Sequence, residues 1–275
     1  MGTNENKRRG HPVAGKSAQP ATDRDDGEGP SSTGTSASER AKFERLAEGW
    51  WDLRGPMRPL HMMNPVRIGF FRDEMVKRLG GGVDSAAALS GLAVLDVGCG
   101  GGLLAEPLAR LGARMTGVDL EAALIDVANR HAAASGLEID YRVATTDQLI
   151  EEDLRFDAVI ASEVIEHVAD PQAFVSSLAH LVRPGGLVLL STPARTVRSF
   201  GQVIVAAEYI LKWLPRGTHD WRRFLTPAET TGLLRRAGLI PLDIAGINYD
   251  LGKSCFYRTP DVRVNYMVSS IRPLA

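Results

Sequence analysis

Between residues 92 and 192 the chain sets down five short apolar runs, LAVLDV (92–97), RMTGVD (114–119), IDYRV (139–143), FDAVIAS (156–162) and GLVLLST (186–192). Stretches with helical spacing lie between them, near 102–111, 121–135 and 171–182. Strands that are apolar along their whole length are buried on both faces, and helical crossovers join strands that run parallel. The expected fold class is therefore α/β, a doubly wound and mostly parallel Rossmann-like sheet with helices on both faces. RPGG (183–186) reads as the loop between the last of these helices and its strand. Further on, PAETTGLLRRAG (227–238) predicts a helix and LIPLDIAGI (239–247) a strand, and the remaining residues follow neither period.

The ends of the chain differ from this middle. Residues 1–38 are Gly, Ser, Thr, Pro and charge with almost nothing to bury, which predicts a disordered arm and a single domain over 39–275. Within 39–91 two helices are expected. One lies in ERAKFERLAEGWW, with Phe43, Leu46, Ala47 and Trp50 on one face, and the other is PVRIGFFRDEMVKRL (65–79), with GGGVDSAAALSG (80–91) as a linker. A chain of 275 residues at 44% hydrophobic content can bury one full core. A formal net charge of −1 gives no electrostatic reason to expect nucleic acid as a partner. Two cysteines, Cys99 and Cys255, are too few for a disulfide framework and suit a reducing compartment, so a cytoplasmic location is expected. No run of 18 apolar residues occurs, so any membrane role is expected to be peripheral. The acidic DRDDGE (23–28) and the absence of an apolar core argue against a targeting segment at the N-terminus.

VLDVGCGGGLLAE places a glycine loop directly after the first strand and ahead of a helix. In such sheets ligands bind at the carboxyl ends of the strands, where bare backbone can approach them. Gly98 and Gly100 fit a dinucleotide fingerprint, but its third glycine position holds Leu103, which disfavours a nicotinamide oxidoreductase. Asp119 closes the second strand, where a carboxylate can accept both hydroxyls of an adenosine ribose. Asp96 precedes the loop with a negative charge, unwelcome to a phosphate and welcome to a cation. Cys99 reads as a small loop residue.

SEVIEHV (162–168) spaces Glu163, Glu166 and His167 at i, i+3 and i+4, so one helical turn would aim all three the same way. Three readings stand. The side chains can hold a divalent cation, for which hard carboxylate oxygens and one imidazole suit Mg²⁺ or Mn²⁺. His167 can act alone as a general base. Or the Glu residues simply favour the positive end of a helix.

The set Asp96, Gly98, Gly100 and Asp119 resembles the class I S-adenosylmethionine-dependent methyltransferases, whose cofactor carries adenosine and a sulfonium but no phosphate. FERLAEGWWDLRGPMRPLHMMNPVRIGFF, SEVIEHVADP, AEYILKWLPRGTHDWRRF and the late VNYM narrow the likeness. From about residue 40 to the end, the chain resembles the ubiquinone-biosynthesis O-methyltransferases. The resemblance implies methyl transfer from S-adenosylmethionine to phenol or catechol hydroxyls of polyprenylated precursors, with other quinone-biosynthesis enzymes as partners. By matched position it implies that Arg67 meets the methionine end of the cofactor, Gly98 lines its loop, Asp119 holds the ribose and Ser162 makes a further contact. By analogy of fold, Thr146 and Asp147 border the adenine. Likeness to metal-dependent eukaryotic relatives implies Mg²⁺ at Glu163, Glu166 and His167.

GQVIVAAEYILKWL (201–214) adds an amphipathic stretch, within an expected helical insertion or lid over 194–225. Val203, Ala207, Ile210 and Leu214 form an apolar stripe, with Arg195, Arg198, Lys212, Arg216, Arg222 and Arg223 around it. That composition suits peripheral contact with anionic lipid at the inner membrane surface, or a lid packed on its own core. Three functions compete: the quinone-pathway enzyme, a methyltransferase of another small hydroxylated aromatic, and a non-catalytic cofactor- or lipid-binding protein.

Overall fold

The computed structural model describes Met1 and residues 49–80, 87–200 and 220–274. The expected arm, most of the first helix, the middle of the linker and the amphipathic stretch 201–214 lie outside the described residues. Five parallel strands follow the expected runs: β1 (Ala93–Val97), β2 (Arg114–Asp119), β3 (Asp140–Val143), β4 (Phe156–Ser162) and β5 (Val182–Pro193). Three more, β6 (Ile240–Asp250), β7 (Cys255–Thr259) and β8 (Asn265–Ile271), join antiparallel. The sheet order is β3-β2-β1-β4-β5-β8-β6-β7. Connections leave β1 and β4 in opposite directions along the sheet, so the crevice between their carboxyl ends is the switch point where a ligand binds in such folds.

The helices are α1 (Arg58–Leu79), α2 (Ala105–Arg110), α3 (Ala122–Ala134), α4 (Thr146–Glu151), α5 (Pro171–Leu181), the single turn α6 (Val197–Ser199) and α7 (Pro227–Arg236). α1 starts earlier than the sequence suggests. Pro59 takes the first-turn position that tolerates a missing N–H, and the helix runs on through Pro65. RPGG is not a loop: β5 takes it in, with Gly185 at φ +79° and a register shift opposite Phe156 and Ala158 absorbing the irregularity. α4 has a sequence-level cause that periodicity misses, a reciprocal cap in which the Thr145 side chain accepts from Gln148 N and Gln148 returns to the Thr145 backbone.

Alternation along the strands divides the core. Val94, Ile160 and Leu189 face one side with Phe70, Phe71 and Met75 of α1. Leu95, Val159 and Val188 face the other with Phe174 and Leu178 of α5. Phe70 and Phe71 are fully buried, so α1 belongs to the main core and holds whatever it presents to the crevice rigidly.

Candidate active site at the β1–β4 crevice

The glycine loop is built against its neighbours. Gly98 N and Cys99 N donate to Val118 O at 2.8 and 3.0 Å, tying the loop to β2. Gly98 sits at φ +71°, and the Val164 side chain fills the space a Cβ would need, so only glycine lets this loop meet the turn after β4. Asp119 completes the loop. One carboxylate oxygen accepts from Gly100 N at 2.9 Å and the other from Glu121 N at 3.0 Å. Burial raises its pKa, and these backbone donors pull it back down.

Asp96 is 2% exposed and its pKa is pushed up to about 7, chiefly by burial, with Arg67 opposing and Asp119 adding to the shift. Arg67 reaches in from α1. Its Nη1 donates to Ser162 Oγ at 2.9 Å and its Nη2 to Asn64 Oδ1 at 3.0 Å and Leu60 O at 3.3 Å. Burial lowers its pKa, while the charges of Glu163, Asp96 and Glu166 raise it. The expected cofactor residues Arg67, Asp96, Gly98, Gly100, Asp119 and Ser162 thus share one crevice. Thr146, the first residue of α4, is buried at 3% exposure, whereas Asp147 accepts from Ser177 Oγ at 3.3 Å and helps dock α4 on α5.

The helical geometry expected for SEVIEHV is wrong. Ser162 ends β4, Glu163 has a left-handed φ of +59°, residues 165–167 form a turn, and the next helix begins only at Pro171. Glu163 N donates to Ser191 O at 2.9 Å, and that bond to β5 fixes the unusual backbone. The two carboxylates take different partners. Glu163 accepts from Ser191 Oγ at 2.9 Å and from Asn265 Nδ2 at 3.1 and 3.2 Å. Glu166, 3% exposed, accepts from Thr192 Oγ1 at 2.9 Å. Its pKa is pushed up to about 7 by burial first and by Glu163 second, with His167 opposing. Among the described residues no group of three or more His, Cys, Asp or Glu side chains is arranged to hold a metal ion.

A hydrogen-bonded relay joins the two halves of the crevice. It runs from Arg67 to Ser162, on to Ser191 at 2.8 Å, then to Glu163 and Asn265. Ser191, Thr192 and Asn265 were not singled out from sequence, although Asn265 lies in the late VNYM. Trp50, Trp51 and Tyr141 also reach the loop. Trp51 Nε1 donates to Gly101 O at 2.9 Å, and Tyr141 packs where Gly102 has no side chain. Several buried polar atoms around the crevice have no hydrogen-bond partner among the described residues: Arg67 Nε, Asp96 Oδ2, Tyr141 OH, Thr146 Oγ1, Glu166 Oε1 and Trp50 Nε1. Buried polar groups are normally paired, so a cluster of unpaired donors and acceptors marks a place built for a polar ligand.

A family model described as a methyltransferase domain matches residues 71–242. Magnesium protoporphyrin IX methyltransferase from Synechocystis, solved with bound SAH, superposes with a TM-score of 0.59 at 21% identity, covering 84% of this chain and 94% of that one. An S-adenosylmethionine-dependent methyltransferase from Thermotoga maritima gives 0.58 at 16% identity, covering 85% and 99%. The fold is that of a class I methyltransferase. The ubiquinone biosynthesis O-methyltransferase of Dinoroseobacter shibae is 50% identical over 86% of this chain and 96% of its own length. That of Methylobacterium nodulans is 49% identical over 86% and 95%. The chain belongs to the ubiquinone biosynthesis O-methyltransferase family.

Proposed function

We propose that this protein transfers a methyl group from S-adenosylmethionine to a ring hydroxyl of a polyprenylated phenol or catechol in ubiquinone biosynthesis. Family membership supports the reaction class. The observation that carries the reading to this crevice is the set of buried polar atoms on the elements around it that have no hydrogen-bond partner among the described residues.

When bound, S-adenosylmethionine supplies an electrophilic methyl on a sulfonium. The protein's own residues do the rest. Asp119 orients the ribose hydroxyls, Asp96 faces the cationic part, Arg67 meets the carboxylate, Gly98 and Gly100 admit the backbone, and Thr146 and Ser162 close the sides. Positioning supplies most of the acceleration in an in-line displacement. The acceptor needs more, because a phenol with a pKa near 10 is a poor nucleophile until its proton leaves. His167, half-buried on the turn after β4, takes that proton, and the nearby Glu166 carboxylate stabilises the imidazolium that forms.

A second reading has its own observation. Glu166 Oε1 is buried near Glu163 with no hydrogen-bond partner among the described residues, a crowding of carboxylates that a divalent cation such as Mg²⁺ would relieve. No step above depends on it. Mass spectrometry of a short-tailed catechol incubated with protein and S-adenosylmethionine, with added Mg²⁺ and with chelator, separates the two. Methylated product that survives chelation supports the His167 route. Product lost on chelation and restored by Mg²⁺ supports the cation, and no product despite bound cofactor contradicts the proposed acceptor.

Access for a polyprenyl tail belongs to the same proposal. Among the described residues no helix is long and apolar enough to cross a membrane. Val197 and Phe200, exposed at 86% and 45%, stand next to the stretch 201–214 proposed to lie at the membrane surface. Two of the flanking arginines already serve the fold, Arg195 with Glu229 and Arg198 with Asp261. Charge reversal at Lys212 and Arg216 should reduce flotation with anionic vesicles. Unchanged flotation would remove the electrostatic part of the proposal.

A further inference from the structure

Trp50 lies across the glycine loop and is 6% exposed. Its indole occupies the space that side chains at Gly100 and Gly101 would need, and a Cβ at Gly101 would stand 2.8 Å from Nε1. The segment is held from several directions. His61 Nε2 pairs with Trp50 O at 2.9 Å, and the Trp51 N–H donates to Gly101 O. The Trp51 ring stacks on His131 of α3, with centroids 3.5 Å apart and planes 6° from parallel. His131 Nδ1 in turn sits 2.6 Å from Oε1 of buried Glu106. Asn64 of α1 donates to Leu103 O, so side chains from the N-terminal segment hold two carbonyls of the loop region.

Against this fixed surround, Trp50 Nε1 is conspicuous as a buried donor with no partner among the described residues. An unpaired buried donor is costly, and a ligand acceptor would recover that cost on binding. A second unpaired donor, Arg67 Nε, is also buried on the N-terminal segment. Asp96, the unpaired acceptor of the same crevice, suits the ligand's cationic part instead. The one anionic acceptor on S-adenosylmethionine is its amino-acid carboxylate.

We propose that the Trp50 indole N–H is a cofactor-binding donor to the amino-acid carboxylate of S-adenosylmethionine, with Trp51 and His131 as the positioning pair that keeps it over the glycine loop. The proposal rests on the cofactor reading above. It also gives the glycines at 100 and 101 a second reason to be glycine, since they seat the indole as well as bare the backbone.

Calorimetry on the full chain tests it with two ligands, S-adenosylhomocysteine, which keeps the amino-acid end, and methylthioadenosine, which lacks it. Trp50→Phe keeps an aromatic ring and removes the N–H. The expected result is roughly tenfold weaker binding of S-adenosylhomocysteine and unchanged binding of methylthioadenosine. Equal weakening of both ligands, or of neither, overturns the proposal while leaving the cofactor reading intact. Failure of the wild type to bind either ligand overturns both. Should the phenylalanine variant fold poorly, a benzothiophene analogue of tryptophan at position 50 keeps the ring shape, replaces N–H by sulfur and is held to the same outcomes.

Discussion

The two sides of the crevice are built on opposite principles. On the β1–β2 side the backbone makes the site: glycines at 98 and 100 and amide donors to Asp119. On the β4–β5–β8 side, side chains make it. Glu163 is held by Ser191 and Asn265, and Glu166 by Thr192. The first side bares backbone to a ligand, and the second uses side-chain hydrogen bonds to fix two carboxylates. A cofactor common to many reactions suits the first, and an acceptor whose proton must be managed suits the second.

Variants on the two sides should damage different kinetic quantities. Asp119→Ala removes the acceptor for two backbone amides and the proposed ribose contact, so it should weaken S-adenosylmethionine binding roughly hundredfold by calorimetry. Gly100→Ala forces a side chain into φ +52° and against Trp50. It should lower Tm and raise the KM for cofactor together, by about tenfold for the latter. Asn265→Ala and Ser191→Ala, on the other side, should lower kcat about tenfold and leave the cofactor KM unchanged. A cofactor defect in the second pair, or a pure kcat defect in the first, would erase the distinction.

Two smaller effects come from protonation. Burial pushes the Asp96 pKa up to about 7, and the cationic part of the cofactor would favour its ionised form. Binding should therefore release a proton, seen as a buffer-dependent enthalpy, and affinity should rise several-fold from about pH 6 to about pH 8. Glu166 works on stability. Between its ordinary value of 4.5 and about 7 the folded protein keeps a proton that the unfolded chain has lost. Stability should accordingly fall as pH rises through that window and stay lower above it. Glu166→Gln should lessen the slope, leaving the share due to Asp96, with a Tm gain of a few degrees above pH 7 that vanishes near the lower end of the window.

The backbone-built side was legible in the sequence because its parts are local and obey fixed offsets. A strand, glycines and a helix follow one another, and an acid closes the next strand. Asp96, Gly98, Gly100 and Asp119 fell where that rule put them. The side-chain-built half was not legible, because Glu163 meets Asn265 across a separation of 102 residues and through antiparallel strands that periodicity did not reveal beyond β6. SEVIEHV shows the cost of relying on spacing alone. Its i, i+3, i+4 pattern is sound for a helix, but the hydrogen bond from Glu163 N to Ser191 O and the left-handed Glu163 backbone replace the helix with a turn. Trp50 was assigned to an amphipathic face, and it is buried, against the glycine loop and beside Leu124 and Val127 of α3.

The most direct measurement is a crystal structure of the protein with S-adenosylhomocysteine and a short-tailed catechol. The account predicts the ribose at Asp119, the amino-acid end between Asp96, Arg67 and Trp50, and the sulfur facing a catechol oxygen beside His167. A ligand bound away from the β1–β4 crevice, or a catechol oxygen directed away from the turn at 163–167, would contradict it.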